Sequence, residues 1–420
     1  MIPRLRSRFN AGFQDAAYSR LLALIDHRCG GPVQFPVAET PIFVSRALLD
    51  EMAEQGSMLA FHLIADTQYL DAARRAIPHG YSVAAETPHP HFLTADFALV
   101  RTPSGELAPR LVEIQAFPSV FAYQAELCSA YREAFDLPQS LGFFLGGLNQ
   151  TTYWDLLRRT ILGHHQPQNV ILAEIDPLHQ KTFSDFYSTS QHLGIPLVDI
   201  ASIEPVGNKL HYRDAAGRLR PIHRIYNRAI ADELIARDIH LPFDLQAQWD
   251  VEWAGHPNWY FLISKFSIPW LSCTGHFPVV PPAAFLNDFL DGPGREFLAA
   301  SGVSLPTGDP ALIVYRDLLL KPLFSFAGKG IEFEPTHLRL QAIPHAQRGS
   351  YLLQQRMRFE PTIETPFGMT QAEIRILYMW PDGGELTPAL SLVRLGRGKM
   401  MGVDHNKNQR WVGGSAAFYI

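Results

Sequence analysis

Apolar and polar positions recur along this chain in two periods, and the change from one to the other marks out its elements. Near the front, Phe13, Ala17, Leu21, Leu24 and Ile25 fall at helical spacing. This predicts a helix from a cap at Asn10 to about Asp26, ended by Gly30 and Gly31. A second helix is expected over about 45–75. Around Thr94 the period shortens to two. Runs at 96–101 and 110–115 flank the turn residues Pro103, Ser104 and Gly105 and should pair as an antiparallel hairpin. From residue 168 the apolar NVILAEI, a helix over about 177–193 and the apolar LVDI predict a β-α-β unit on a parallel sheet. In the hairpin KLHYRDAAGRLRPIHRIYNR that follows, Arg224, Tyr226, Asn227 and Arg228 fall at the carboxyl end of the last run, as substrate contacts or as caps of the sheet end. Strand periodicity returns in DLLLKPL and IEFE, then in YLLQQR, AEIRILYMW and TPALSLVRLG.

Composition narrows the picture. With 420 residues and 47% apolar positions, the chain can bury more than one core, so two or three domains are expected. The net charge of -5 comes from 36 basic and 41 acidic residues that are well mixed, which argues against a nucleic-acid partner. The three cysteines are far apart without metal-ligand spacing, as suits a reducing compartment. Asp15, Arg20, Asp26 and Arg28 interrupt any signal-peptide core, and no apolar run reaches about 18 residues. The expectation is a soluble cytoplasmic protein with no membrane partner; oligomeric state is not legible here.

The candidate chemistry centres on DLLLKPLFSFAGKGIEFE, residues 317–334. Two strand-like runs enclose a loop containing Ser325, Gly328, Lys329 and Gly330. Glycines let main-chain N–H groups close over an anion, and Lys321 and Lys329 would neutralise phosphate charge. An ordinary tight turn is the alternative. Neither a Walker loop nor a G-x-G-x-x-G fingerprint fits, because Gly330 and a strand follow the Gly-Lys pair.

In the earlier hairpin Glu113 and Gln115 share a sheet face, and pairing could bring Asp96 to them. Two carboxylates and an amide oxygen form a hard-cation site, against the alternative of a polar solvent face. Lys265 lies in a strongly apolar, helix-like run and needs an anionic partner or a route for its ammonium to water. Gln354 and Gln355 end a strand suited to recognising an adenine edge. Glu373 and Arg375 share a face of their strand, and Arg394 ends the next. His89 and His91 have no third ligand nearby and are read as structural. The D-x-N-x-N run at 404–408 lacks the glycine and glutamate of a calcium loop, since Gln409 and Ser415 stand there. Gly413 and Gly414 offer either a close approach to a phosphate or a turn.

Taken together, these blocks resemble a circularly permuted ATP-grasp enzyme, similar to the glutathionylspermidine synthetase and eukaryotic glutathione synthetase groups. The likeness rests on order. The DFAL and LVEIQAFPS metal-type strands come first, the Lys265 segment with PVVPPAAF follows, and KPLFSFAGKGI comes late. It implies an α/β (α+β) ATP-grasp fold. Residues 1–165 would hold the metal hairpin, 166–258 an inserted α/β subdomain, and 259–420 the nucleotide-binding region.

The resemblance further implies ATP held by Lys265, Lys321, Ser325, Gly328, Lys329, Gly330, Gln354 and Gln355, and Mg2+ held by Asp96, Glu113 and Gln115. Arg375 would face developing charge and Arg394 a substrate carboxylate. The implied activity is ATP-dependent ligation of a small carboxylate to an amine. Alternatives are an ATP-binding protein without ligase activity and a small-molecule kinase. Two departures bear on these. Gln115 replaces an asparagine, and Phe326-Ala327 stands where the permuted groups carry Arg-Glu, with Glu373 a possible substitute ligand. The length also leads to the expectation that no amidase-like domain precedes the synthetase part.

Overall fold

A computed structural model describes residues 1–102, 104–324, 328–399, 401, 406 and 408–420. Its largest sheet contains seven strands among the described residues. Six run in the order Ile42–Val44, Gly413–Tyr419, Thr387–Gly396, Gly368–Met379, Phe92–Arg101 and Leu107–Gln115, and Ile363–Thr365 pairs with Gly368–Met379. Strands from the front and the end of the chain therefore lie side by side.

Strand alternation decides what each face of this sheet holds. Ile374, Ile376 and Tyr378 point, with Ala95, Phe97 and Val393, into a core beneath the helix Arg46–Ala65. Leu377, Met379, Leu390 and Leu392 point the other way, into a core around the helix Phe121–Ala134. On this second face the chemistry changes along the strands: Glu373 and Arg375 precede Leu377 and Met379, and Arg394 follows Leu390 and Leu392. One end of the face is packed, and the other is charged.

The β-α-β unit forms as expected. Glu252–Ala254, Arg224–Asn227, Val170–Glu174 and Leu197–Asp199 make a four-stranded parallel sheet, with the helix Phe183–Leu193 between the last two in sequence. Glu174 ends the central strand and is buried. Burial pushes its carboxyl up to about 8, against the Ile175 N–H that donates to it at 2.7 Å and the nearby Arg228. An acid raised in this way is protonated in the fold while ionised in the unfolded chain. Stability should therefore be complete below the ordinary glutamate range and fall as pH rises from about 4.3 through about 8. Glu174→Gln should gain about 2–4 kcal/mol near pH 8 and nothing near pH 4, read by denaturation across that range. A gain independent of pH would contradict the assignment.

A third sheet is antiparallel, in the order Ala283–Phe285, Tyr351–Gln355, Leu318–Pro322 and Glu332–Phe333. Leu318, Leu320 and Leu353 point into its own small core. Leu319 pairs with Gln354 and Lys321 with Leu352, so Lys321 and Gln354 share the opposite face. A short meander of Glu204–Val206, Lys209–Arg213 and Leu219–Pro221 completes the sheets.

Two predicted helices are each broken in two. Pro3–Gly12 and Asp15–Arg28 replace the first, so Asn10 lies inside a helix, not at its cap. Arg46–Ala65 and Thr67–Arg75 replace the second, where the Asp66 carboxylate caps the new start by accepting from the Tyr69 N–H at 2.9 Å. Among the described residues no helix is long and apolar enough to cross a membrane.

Candidate functional site

The hairpin of Phe92–Arg101 and Leu107–Gln115 sets the floor of the site. Asp96 sits directly opposite Glu113, and Thr94 opposite Gln115, with a register shift that leaves Val112 as an extra residue. The shift lets Leu111 and Ile114 both enter the core while Glu113 and Gln115 keep the charged face. The Val112 carbonyl accepts from Lys321 Nζ at 3.4 Å. A lysine of the third sheet thus reaches the large sheet at its irregular point. Lys265 approaches the same hairpin, its Nζ 3.6 Å from Glu113 Oε2. It lies in the connection between the helices Trp259–Leu262 and Ser267–Thr274, not within one long helix.

Both arginines singled out in the sequence belong to this cluster. Arg375 stands opposite Asp96 and grips it with two hydrogen bonds, Nε to Oδ1 at 2.5 Å and Nη2 to Oδ2 at 2.7 Å, while Nη1 donates to Ser119 Oγ at 3.1 Å. Arg394 Nη1 donates to Asp96 Oδ2 at 3.0 Å and to Glu373 Oε1. Burial alone would raise Asp96, but the two guanidiniums outweigh it and hold the carboxyl below its usual range. For Glu373 burial wins over Arg394, and its carboxyl is raised. Asp96, expected among the magnesium ligands, thus accepts one N–H at Oδ1 and two at Oδ2, beside Glu113 and Gln115 on the same face.

Lys265, Lys321, Arg375 and Arg394 meet Asp96, Glu113 and Glu373, and Asp232 lies near enough to Lys265 to feel its charge, so four cations face four carboxylates. Burial, with Lys265 nearby, pushes the Lys321 ammonium down to about 8 although Glu113 opposes the shift. On the same sheet face Gln354 is fully buried, and among the described residues neither its amide nitrogen nor its amide oxygen has a hydrogen-bond partner. Gln355 is only half-buried. A shallow cleft open to solvent lies between Glu113, Gln115, Tyr260, Lys265 and Phe324.

The loop beyond Phe324 is described in part. Gly328 and Gly330 have φ of 72° and 75°, the left-handed region that favours glycine, and Lys329 between them is exposed. Ser325, Phe326 and Ala327 lie outside the described residues, as do Asp404 and Lys407 of the D-x-N-x-N run.

Other expected contacts are placed elsewhere. Arg224 begins its strand instead of ending it, and it is buried against Glu252 and Asp382, each at 2.7 Å. Tyr226 is in the core, and Arg228 pairs with the fully buried Asp185. Asn227 lines a small cavity. Gly413, at φ 127°, lies against chain and not ligand: a Cβ there would stand 2.5 Å from the Pro36 carbonyl oxygen. His91 bonds Asp382 at 2.8 Å, and His89 stacks on Trp380.

The large sheet, flanked by helices, faces the small antiparallel one across the cleft, with the parallel sheet alongside, in a mixed α/β architecture. A solved glutathione synthetase-like effector from Globodera pallida, in its apo form, matches at a TM-score of 0.57 over 98% of this chain and 99% of that chain, with 12% identity. A putative gamma-glutamylcysteine synthetase from Methylobacillus flagellatus KT has a TM-score of 0.37 over 90% of this chain and 89% of its own, also at 12% identity. No family model matches the chain, and no curated protein matches it in sequence. At 12% identity the likeness to the effector is one of fold.

Proposed function

We propose that the protein is an ATP-dependent carboxylate–amine ligase of the permuted ATP-grasp type, with ATP held between the third sheet and the large one. The observation that carries this is the convergence of Lys321 and Lys265 on the Glu113 hairpin beside a buried, unpartnered Gln354. An orphaned buried amide offers one donor and one acceptor to the adenine edge, and its burial without a partner is costly until such a ligand binds. Two lysines meeting at one hairpin suit a triphosphate. Lys329, Gly328 and Gly330, at the tip of the adjoining loop, would cover its phosphates, with Ser325 assigned there from the sequence.

Magnesium fits at Glu113 and Gln115, where it would neutralise phosphate charge. Lys265 and Lys321 would orient the nucleotide, and their burial strengthens both contacts. A substrate carboxylate oxygen attacks the γ-phosphorus and ADP leaves, giving an acyl phosphate. An amine then attacks its carbonyl carbon, phosphate departs, the C–N bond forms and the amine loses a proton. Arg375 Nη1, toward Ser119, is the guanidinium nitrogen not committed to Asp96 and is assigned to the developing charge. Arg394 is assigned to the substrate carboxylate, with part of its side chain accessible.

The hold of Arg375 and Arg394 on Asp96 favours a second reading, an ATP-binding protein without turnover. Incubation with Mg-ATP, pooled carboxylic acids and pooled amines separates the two. A ligase releases ADP and phosphate in equal amounts together with an amide. A small-molecule kinase releases ADP alone and leaves a phosphorylated product. Tight ATP binding without ADP release under any pool would remove the ligase assignment.

A further inference from the structure

Away from the cleft, Arg224 ties together two segments at the edge of the parallel sheet. Its Nε donates to the Ile161 carbonyl at 3.0 Å and its Nη2 to the Thr160 carbonyl at 3.3 Å, which fixes the last turn of the helix Gln150–Leu162. Its Nη1 donates to Glu252 Oε2 at 2.7 Å, on the edge strand Glu252–Ala254. Gly163, at φ 56°, turns the chain off the helix at a point where a Cβ would stand 3.1 Å from that same Nη1. The next two residues, His164 and His165, are thereby set against Glu252.

Three side chains of metal-ligand type meet there. One ligand atom from each of His164, His165 and Glu252 lies within 4.8 Å of the others. His165 Nε2 is 3.1 Å from Glu252 Oε2, and His164 Nε2 is 3.9 Å from Oε1. Atoms bound at about 2.0–2.1 Å to a tetrahedral zinc stand about 3.3 Å apart, so a small movement of the exposed His164 completes the spacing. His165 Nε2 is shielded from solvent, and its approach to Glu252 lacks the geometry of a hydrogen bond. A cation between the imidazole nitrogen and the carboxylate would satisfy both.

We propose that His164, His165 and Glu252 form a binding site for a zinc-class transition-metal ion, with water in the remaining position. Imidazole beside carboxylate suits Zn2+ and not Mg2+, which takes oxygen ligands, so the site differs in chemistry from the magnesium position of the cleft. Arg224 is a positioning residue. It holds the ligating carboxylate by a hydrogen bond, while Asp382, 2.7 Å from Nη2, balances its charge. Coordination there joins the helix end to the edge strand, and it does not depend on whether the cleft carries ligase activity.

The test uses the full chain, purified without a histidine tag, dialysed against EDTA and titrated with Zn2+ in a calorimeter. One ion per chain is expected. His164→Ala should bind it at least about tenfold more weakly, and His164→Ala with His165→Ala should not hold it at all. His179→Ala, which removes another exposed histidine, one paired with Asp176, should bind as wild type does. Equal binding by wild type and the double variant would place the ion elsewhere and overturn the proposal. No saturable binding at about 100 µM Zn2+, or displacement by excess Mg2+, would overturn it too. If the double variant does not fold, Co2+ in the wild type decides. Visible absorption of a four-coordinate ion, with paramagnetic shifts of the His164 and His165 ring protons, supports the site, and shifts confined to other histidines overturn it.

Discussion

Asp96→Ala is expected to destabilise the large sheet by about 3–5 kcal/mol, the largest stability effect of any single change at the site. The reason is asymmetry and not the intrinsic worth of an ion pair. Asp96 is 2% exposed and satisfies Arg375 with two bonds and Arg394 with one. Its removal leaves Arg375, also buried, with only Ser119 and the more distant Glu113. An uncompensated buried guanidinium costs far more than a paired one gains. Removing both partners, as in Asp96→Leu with Arg375→Met, should therefore recover much of the loss.

Hydrogen exchange at the amides of Phe92–Arg101 reports the effect locally, which matters in a chain with several cores. Because the Asp96 carboxyl is held below its ordinary range, its contribution is present at neutral pH and is lost only as pH falls through that lowered value. The wild type and Asp96→Ala should thus converge in strong acid. A cost below about 1 kcal/mol at neutral pH would show that the arginines are satisfied in some other way.

The sequence could suggest the residues of this network but not their wiring. Period-two alternation places Glu113 with Gln115, and Glu373 with Arg375, from local spacing alone. It also pairs the two halves of the first hairpin, because a short turn fixes which strands meet. That Arg375 faces Asp96 is a matter of register between strands 279 positions apart, and no local pattern encodes it. The same holds for the extra residue at Val112, whose carbonyl meets Lys321.

Some misplacements had a visible signal. Asp66 three residues before Tyr69 is a capping pattern, but the apolar stripe continues across it and the period masks the break. Arg224 reads as a strand end when the preceding hairpin is run into it, whereas the strand begins there. The hydrogen bond from the Tyr260 hydroxyl to Asp232 joins segments 28 positions apart, and neither spacing nor composition announces it.

Lys321→Met should separate binding from folding most sharply. Affinity for a non-hydrolysable ATP analogue is expected to fall at least about 100-fold, since a buried ammonium aimed at a phosphate acts in a low-dielectric, water-poor setting. Stability should move the other way. The ammonium is pushed down to about 8 chiefly by burial, so the unliganded fold bears a desolvation cost that methionine, of similar length and apolar, does not. The sign follows from the lowered value. Between about 8 and the ordinary lysine range near 10.4 the unfolded chain holds more protons than the fold, so wild-type stability rises with pH in that window. The variant's advantage, about 1–3 kcal/mol below pH 8, should therefore shrink as pH climbs toward about 10.

Thermal unfolding with and without the analogue reads both effects together, because a ligand stabilises only the state that binds it. Wild type should start lower and rise on adding nucleotide; Lys321→Met should start higher and stay. A variant that still shifts with the analogue as wild type does would mean that the triphosphate lies elsewhere. The meeting of the two sheets at Val112 would then be packing and nothing more.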